Sequence, residues 1–174
     1  MRPVEASEIA PSMINMTEAE LDAMTLPGLH ETLWDDREFL GWRDVSHPTK
    51  GYLVFWVGDS PRGFMVRSAE SQMPAGKSAI CVLCHTAQPA PQVSLFVAPK
   101  AGEEGKRGNT VGTYLCADLA CSTLIRITPP ESERIRIPRE SSVTKRWGCV
   151  RARNFSNRVL SVTLSGVGRQ RRWE

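Results

Sequence analysis

The sequence contains no long apolar run, and this absence excludes several classes of protein. None of its 174 residues belongs to a stretch approaching the roughly 18–20 apolar residues that a transmembrane helix needs. The first five residues, Met1 to Glu5, lack the apolar core of a secretory signal peptide. We therefore expect a cytoplasmic protein with no membrane partner.

Motifs for nucleotide binding and for catalysis are also missing. There is no Gly-x-x-x-x-Gly-Lys-Ser/Thr phosphate loop, and the glycines of 102–108 do not join a strand to a helix, so we expect no nucleotide cofactor. Neither a Gly-x-Ser-x-Gly elbow nor a His-Glu-x-x-His motif occurs. The three histidines, His30, His47 and His85, are scattered without a catalytic partner at a recognisable spacing. The sequence therefore predicts a protein that is not an enzyme.

Charge is distributed unevenly along the chain. Residues 1–36 contain eight acidic residues and one basic residue, whereas residues 139–174 contain nine basic and two acidic residues. The two ends of the chain would attract each other across a compact fold. Alternatively, the basic end would bind an acidic protein or RNA. Composition leaves both interpretations open.

The pattern of apolar residues predicts an α+β fold with a small antiparallel sheet flanked by helices. Residues 1–16 have little periodicity and are expected to form a flexible lead-in. A capping box at Thr17-Glu18-Ala19-Glu20 predicts a helix to about Thr25, which Pro27 ends. A second short helix is expected to follow through Leu29, Leu33 and Trp34. From Ser141 onward, apolar spacing predicts a C-terminal helix that buries Cys149.

Runs of β-branched and aromatic residues predict the strands. Four are expected, and a fifth segment, Leu124–Ile127, is expected to extend the sheet; the four are Tyr52–Val57, Gly63–Arg67, Val93–Ala98 and Thr110–Leu115. Together these elements predict a single domain over 17–165, followed by a basic tail over 166–174.

Four of the five cysteines are arranged in two pairs. Cys81 and Cys84 are separated by two residues, and Cys116 and Cys121 by four. Four thiolates that converge at about 2.3 Å on one ion form a structural Zn²⁺ site, with no coordination position left open for catalysis. An odd number of cysteines argues against a disulfide framework. The spacing therefore predicts a zinc finger over 81–121.

Other interpretations use the same residues. Cys81 to His85 also has the form of the C-x-x-C-H motif of covalent haem attachment, and Cys81 with Cys84 that of a thiol redox pair. Four buried, unligated cysteines are a further possibility. His85 is either a ligand in place of a cysteine or a surface residue of the turn.

A charged, glycine-rich segment lies between the two cysteine pairs. It contains Lys100, Lys106 and Arg107 among Gly102, Gly105 and Gly108. A basic, flexible loop beside a rigid finger is suited to an anionic surface, either an acidic protein or an RNA backbone. The alternative is an ordinary solvated loop.

Two segments of the chain resemble a known family. One is Cys81-Val82-Leu83-Cys84-His85, and the other runs from Asn109 to Ser122 and contains Gly-Thr-Tyr-Leu-Cys-Ala-Asp-Leu-Ala-Cys-Ser. The family that they resemble is the elongation factor G-binding protein family. The best-known members are the FusB-type fusidic acid resistance proteins. The resemblance covers roughly residues 15–165. It implies a treble-clef zinc finger embedded in an α/β domain.

The resemblance also implies a function and a set of site residues. Members of the family bind elongation factor G and promote its release from ribosomes, including complexes stalled by fusidic acid. By position, the zinc ligands would be Cys81, Cys84, Cys116 and Cys121, and the partner surface would include His85, Lys106, Arg107 and Tyr114.

The alternative is a zinc-stabilised module that binds RNA or the ribosome. It would use the basic residues of the C-terminal region, namely Lys145, Arg146, Arg151, Arg153, Arg158 and the tail Arg169–Arg172.

Overall fold

The computed structural model describes residues 1–70 and 73–126. The helices are α1 (Ala6–Ser12), α2 (Glu18–Asp22) and α3 (Glu103–Lys106). The strands are β1 (Leu40–Arg43), β2 (Lys50–Val57), β3 (Ser60–Ser68), β4 (Ser78–Ile80), β5 (Ala87–Pro89), β6 (Val93–Pro99) and β7 (Thr110–Cys116). Single turns of 3-10 helix lie at Leu29–Glu31, Trp34–Asp36, Ala90–Gln92 and Leu124–Arg126. Within these ranges, no helix has the length and apolar content that crossing a bilayer requires.

Five strands form one antiparallel sheet in the order β1-β2-β3-β6-β7, and β4 pairs with β5 in a separate two-stranded ribbon. The β6–β7 hairpin pairs along its whole length, from Val93 opposite Cys116 to Pro99 opposite Thr110. By contrast, β3 and β6 are joined only where Arg67 lies opposite Val97 and Ser68 opposite Phe96. A small antiparallel sheet with short helices confirms the predicted α+β fold class.

The sheet separates two apolar clusters, because alternate residues of β2 and β3 point to opposite faces. The first cluster, on what we call the N-terminal face, contains Val4, Ile9, Met13, Leu40, Trp42, Tyr52, Val54 and Met65. The second, on the finger face, contains Phe39, Leu53, Phe55, Phe64, Val66, Phe96 and Ala98 with the cysteine-bearing loops. Each face of the sheet is thus covered by a different part of the chain.

Residues 1–16 differ from the flexible lead-in expected from the sequence. The side chain of Ile9 in α1 is fully buried against the sheet. Met13 forms a parallel bridge with Gly63, and the Asn15 side chain bonds both backbone groups of Met65, at 2.8 and 2.9 Å. Val4, Ile9 and Met13 form an apolar stripe along the segment, which is why it packs on the sheet instead of remaining free.

The helix α2 begins at the predicted capping box. The Thr17 hydroxyl accepts a hydrogen bond from the Glu20 backbone at 3.3 Å, and the Glu20 carboxylate accepts one from the Thr17 backbone at 3.1 Å. The helix ends at Asp22, before the predicted end near Thr25. The second predicted helix is present as the two 3-10 turns at Leu29–Glu31 and Trp34–Asp36.

All four main predicted strands are present as β2, β3, β6 and β7, whereas β1, β4 and β5 were not predicted. The expectation that Leu124–Ile127 extends the sheet is wrong, because Leu124–Arg126 is a 3-10 turn that begins three residues after Cys121. The predicted C-terminal helix with Cys149 and the basic tail over 166–174 lie outside the described residues.

Candidate metal centre

The first cysteine pair lies in the tight turn between β4 and β5. Cys81 directly follows β4, and its carbonyl accepts a hydrogen bond from the His85 backbone at 2.8 Å. The Cys81 backbone donates in turn to the Thr86 carbonyl at 3.2 Å. His85 adopts a left-handed conformation, with φ of 55°, which lets the chain reverse after Cys84. The two-residue spacing therefore folds into a knuckle that turns both sulfurs to one side.

The second pair lies where the β6–β7 hairpin ends. Cys116 is the last residue of β7, and Cys121 follows a turn in which the Leu119 backbone donates to the Cys116 carbonyl at 3.0 Å. The knuckle is tied to this hairpin, because the Val82 backbone donates to the Tyr114 carbonyl at 3.0 Å. The two ligand pairs are thus held together by backbone contacts as well as by their sulfurs.

The four sulfur atoms converge on one point. All lie within 4.8 Å of one another, with 3.9 Å between Cys81 and Cys121 and 3.7 Å between Cys84 and Cys116. A tetrahedral zinc ion with bonds of about 2.3 Å separates its sulfur ligands by about 3.8 Å. The donor set and the spacing both fit Zn²⁺, which confirms the predicted cofactor.

The contacts within the cluster favour thiolates at the first pair. Hydrogen bonds from the thiol of Cys116, and then of Cys121, hold the pKa of Cys84 well below its usual range. Contacts with the other sulfurs, Cys116 first, raise the pKa of Cys121. Thiolates at this distance repel one another, so all four ionise together only around a cation. When bound, zinc would supply that charge and fix the loops, with no coordination position left for substrate.

The turn between Cys116 and Cys121 is anchored on the main sheet. Leu119, with φ of 58° and fully buried, lies so close to β1 and β2 that a Cβ atom on Gly41 would come within 2.3 Å of its carbonyl oxygen. The hydroxyl of Ser122, also fully buried, accepts hydrogen bonds from the backbones of Glu38 and Phe39 at 2.7 and 2.9 Å. These contacts join the metal centre to the start of β1.

Sequence reasoning missed these anchoring residues. Leu119 and Gly41 meet only in the folded chain, so no local pattern indicates their contact. The role of Ser122 could have been predicted more easily, because Ser122 directly follows a predicted ligand. A small hydroxyl residue beside a turn is a common hydrogen-bonding partner for backbone groups.

The predicted partner-facing residues lie along β7 and its two ends. Tyr114 is 40% exposed near the knuckle, whereas Lys106 and Arg107 precede the other end of the strand. His85 lies in the knuckle and, among the described residues, is not part of the group of potential metal ligands. Lys106 and Arg107 therefore lie toward the end of β7 away from the knuckle, and Thr110 and Tyr114 alone are separated by about 13 Å of strand.

The segment between β6 and β7 is less basic in effect than its composition indicates. It contains α3, within which the Lys106 ammonium lies 2.7 Å from the Glu103 carboxylate, while that of Lys100 lies 2.8 Å from Glu104. Among the described residues, no carboxylate lies within ion-pair distance of Arg107, which is exposed. Arg107 is thus the cation that this segment leaves available.

Comparison with known proteins agrees with the geometry of the centre. The family model described as FBP C-terminal treble-clef zinc-finger matches residues 8–159, which is most of the chain. No curated protein and no solved structure matches significantly. The match includes the four clustered cysteines, the sheet and most of α1, and it supports the FusB-type resemblance seen in the cysteine motif. The chain therefore belongs to the FBP C-terminal treble-clef zinc-finger family.

Proposed function

We propose that this protein binds elongation factor G and promotes its release from the ribosome, including complexes stalled by fusidic acid. The observation that carries the proposal is the family match over 8–159, together with an intact four-cysteine centre. The family is one of zinc fingers and not of enzymes, so binding itself would be the activity. A cytoplasmic location follows from the proposed partner.

The metal centre supports a binding role because it makes the knuckle and the β6–β7 hairpin one rigid surface. A rigid surface loses little conformational entropy when it docks. To release the factor from the ribosome, the protein must bind its dissociating conformation more tightly than its ribosome-bound one. His85, Lys106, Arg107 and Tyr114 are the residues that we propose to contact the factor.

A binding measurement with purified elongation factor G tests the proposal. We expect a complex at micromolar concentrations or below, and faster dissociation of the factor from ribosomes when the protein is added. Replacement of Arg107 by alanine is expected to weaken the complex about tenfold, which corresponds to about 1.4 kcal/mol. Arg62→Ala is the matched control, because Arg62 is an exposed arginine on β3, outside the finger. Absence of binding at micromolar concentrations would contradict the proposal.

The alternative of RNA or ribosome binding depends on basic residues that lie outside the described part of the chain. The salt dependence of binding distinguishes RNA binding from binding to elongation factor G. Binding to RNA weakens steeply as salt rises, because each neutralised phosphate releases counterions. We expect the complex with elongation factor G to survive in salt that removes RNA.

A further inference from the structure

The strand β7 forms one edge of the five-stranded sheet, and along part of that edge its backbone groups have no partner among the described residues. Two bonds leave its outer side near the knuckle, from the Tyr114 carbonyl to Val82 and from the Cys116 backbone to the sulfur of Cys81, at 3.0 and 3.4 Å. Both involve even-numbered residues. In an antiparallel strand, the N–H and C=O of one residue point to the same side and alternate along the chain.

The odd-numbered residues confirm this alternation. Just beyond the two ends of β7, the Asn109 carbonyl accepts from Lys100 at 3.0 Å, and the Ala117 backbone donates to Gln92 at 2.9 Å. Both bonds reach the β6 side. Thr110 and Gly112 therefore direct both their N–H and their C=O groups outward. The N–H group of Tyr114 also points outward. Within the described residues, no other strand pairs with this edge.

Nothing in the composition of this edge discourages strand pairing. From Thr110 to Cys116 there is no charged residue and no proline, the two residue types that natural proteins use to block sheet edges. The opposite edge differs, because β1 has only four residues and ends with Arg43. The open groups of β7 span about 13 Å, which matches an extended segment of four or five residues.

We propose that elongation factor G contributes an extended segment that pairs with the outer edge of β7 over Thr110–Tyr114 and adds a sixth strand to the sheet. This inference rests on the proposed function and specifies how the partner is held. A row of backbone donors and acceptors that no described residue satisfies is complementary to another extended backbone, and strand addition is a recurring mode of peptide recognition.

The surroundings of the edge specify the side chains of the added strand. Leu95 lies opposite Tyr114 in the β6–β7 register, so an apolar side chain of the added strand would extend this pair. At the other end, Arg107 is suited to a carboxylate. Described residues 73–126 contain five basic and three acidic residues, whereas residues 1–70 contain six basic and twelve acidic residues. Among the described residues, an acidic segment is thus attracted more to 73–126 than to the net acidic residues 1–70.

Two variants of one residue test the proposal. Gly112→Pro removes an outward N–H without removing a bond to β6, and proline is tolerated on such an edge. We expect it to keep its zinc and to bind elongation factor G about tenfold more weakly or worse. Gly112→Ala is the control, because it keeps the N–H and its Cβ would meet nothing closer than 3.8 Å. It is expected to bind within about twofold of the unmodified chain.

The outcomes distinguish failure of this inference from failure of the proposed function. If the unmodified chain does not bind elongation factor G, both are overturned. If it binds and Gly112→Pro binds equally well, strand addition alone is overturned. Should Gly112→Pro lose its zinc, Thr110→Pro at the first position of the strand replaces it.

Hydrogen exchange on the unmodified chain gives a second measurement that needs no variant. We expect the amides of Gly112 and Tyr114 to exchange rapidly in the free protein and slowly in the complex. Slow exchange in the free monomer would show that another part of the chain covers the edge, and a dimer lost in Gly112→Pro would assign it to a second copy. Either result would overturn the proposal.

Discussion

The two faces of the sheet are covered by different physical means. On the N-terminal face, α1 and the segments that follow it bury apolar side chains such as Ile9 and Met13 against β2 and β3. On the finger face, the loops that cover the sheet bring four sulfurs together, and these ionise together only around a cation. The first cover depends on removal of apolar surface from water. The packing on the finger face also depends on a bound metal ion, so removal of the metal or of an apolar side chain should affect the two faces differently.

Loss of the metal is the largest expected effect, and it should fall mainly on the finger face. Cys84→Ser removes one of four ligands, and structural zinc contributes on the order of 10 kcal/mol to the folding of small zinc domains. We expect bound zinc to fall from one per chain to near zero by elemental analysis. Hydrogen exchange should then accelerate over 81–121 more than over α1.

The remaining cysteine provides a control for this measurement. Cys149→Ser is expected to keep one zinc per chain, since four other cysteines form the cluster. Full zinc content in Cys84→Ser would show that the ligand set differs from the one described.

Truncation of Ile9 tests the opposite face. Ile9→Ala removes a fully buried side chain and is expected to destabilise the protein by about 2–5 kcal/mol in urea unfolding. Zinc content should stay at one per chain, because Ile9 belongs to the other cluster. Simultaneous loss of zinc would mean that the faces are not separable.

Gly41→Ala tests the contact between β1 of the sheet and the turn that carries the second cysteine pair. The added Cβ would lie 2.3 Å from the carbonyl oxygen of Leu119, a backbone atom, so either β1 or the turn of the second ligand pair must shift. We expect a loss of about 1–3 kcal/mol in unfolding free energy together with weaker zinc retention in a chelator competition. Gly112→Ala, whose Cβ would have ordinary contacts, is the matched control. Unchanged zinc retention in Gly41→Ala would separate the sheet from the metal centre.

The sequence was sufficient for those features that depend on local pattern. The strands β2, β3, β6 and β7 are rich in aromatic and β-branched residues, and the metal ligands follow from cysteine spacing. The strand β1 was missed because Leu-Gly-Trp-Arg is short and contains a glycine. That glycine is required by close contact with Leu119, a tertiary contact that local sequence does not show. The segment of α1 was missed because Pro11 and weak periodicity hid its apolar stripe.

One further feature could have been read from the sequence. Lys100 and Glu104 are four residues apart, and Glu103 and Lys106 three, which are the spacings of ion pairs on a helix. The pairing of the two lysines could therefore have been predicted from their spacing, whereas no comparable pattern indicates that Arg107 stays exposed.

The separation of the ligands along the chain has a consequence in polymer terms. A bound metal would cross-link Cys81 to Cys121, 40 residues apart, and Cys84 to Cys116, 32 residues apart. The entropy lost in closing such a loop rises only with the logarithm of its length, so doubling it costs about 0.6 kcal/mol. The segment between β6 and β7 can therefore lengthen, shorten or change charge at little cost while the metal keeps its ends in place. A scaffold of this kind lets the segment between β6 and β7 vary without refolding the protein that carries it.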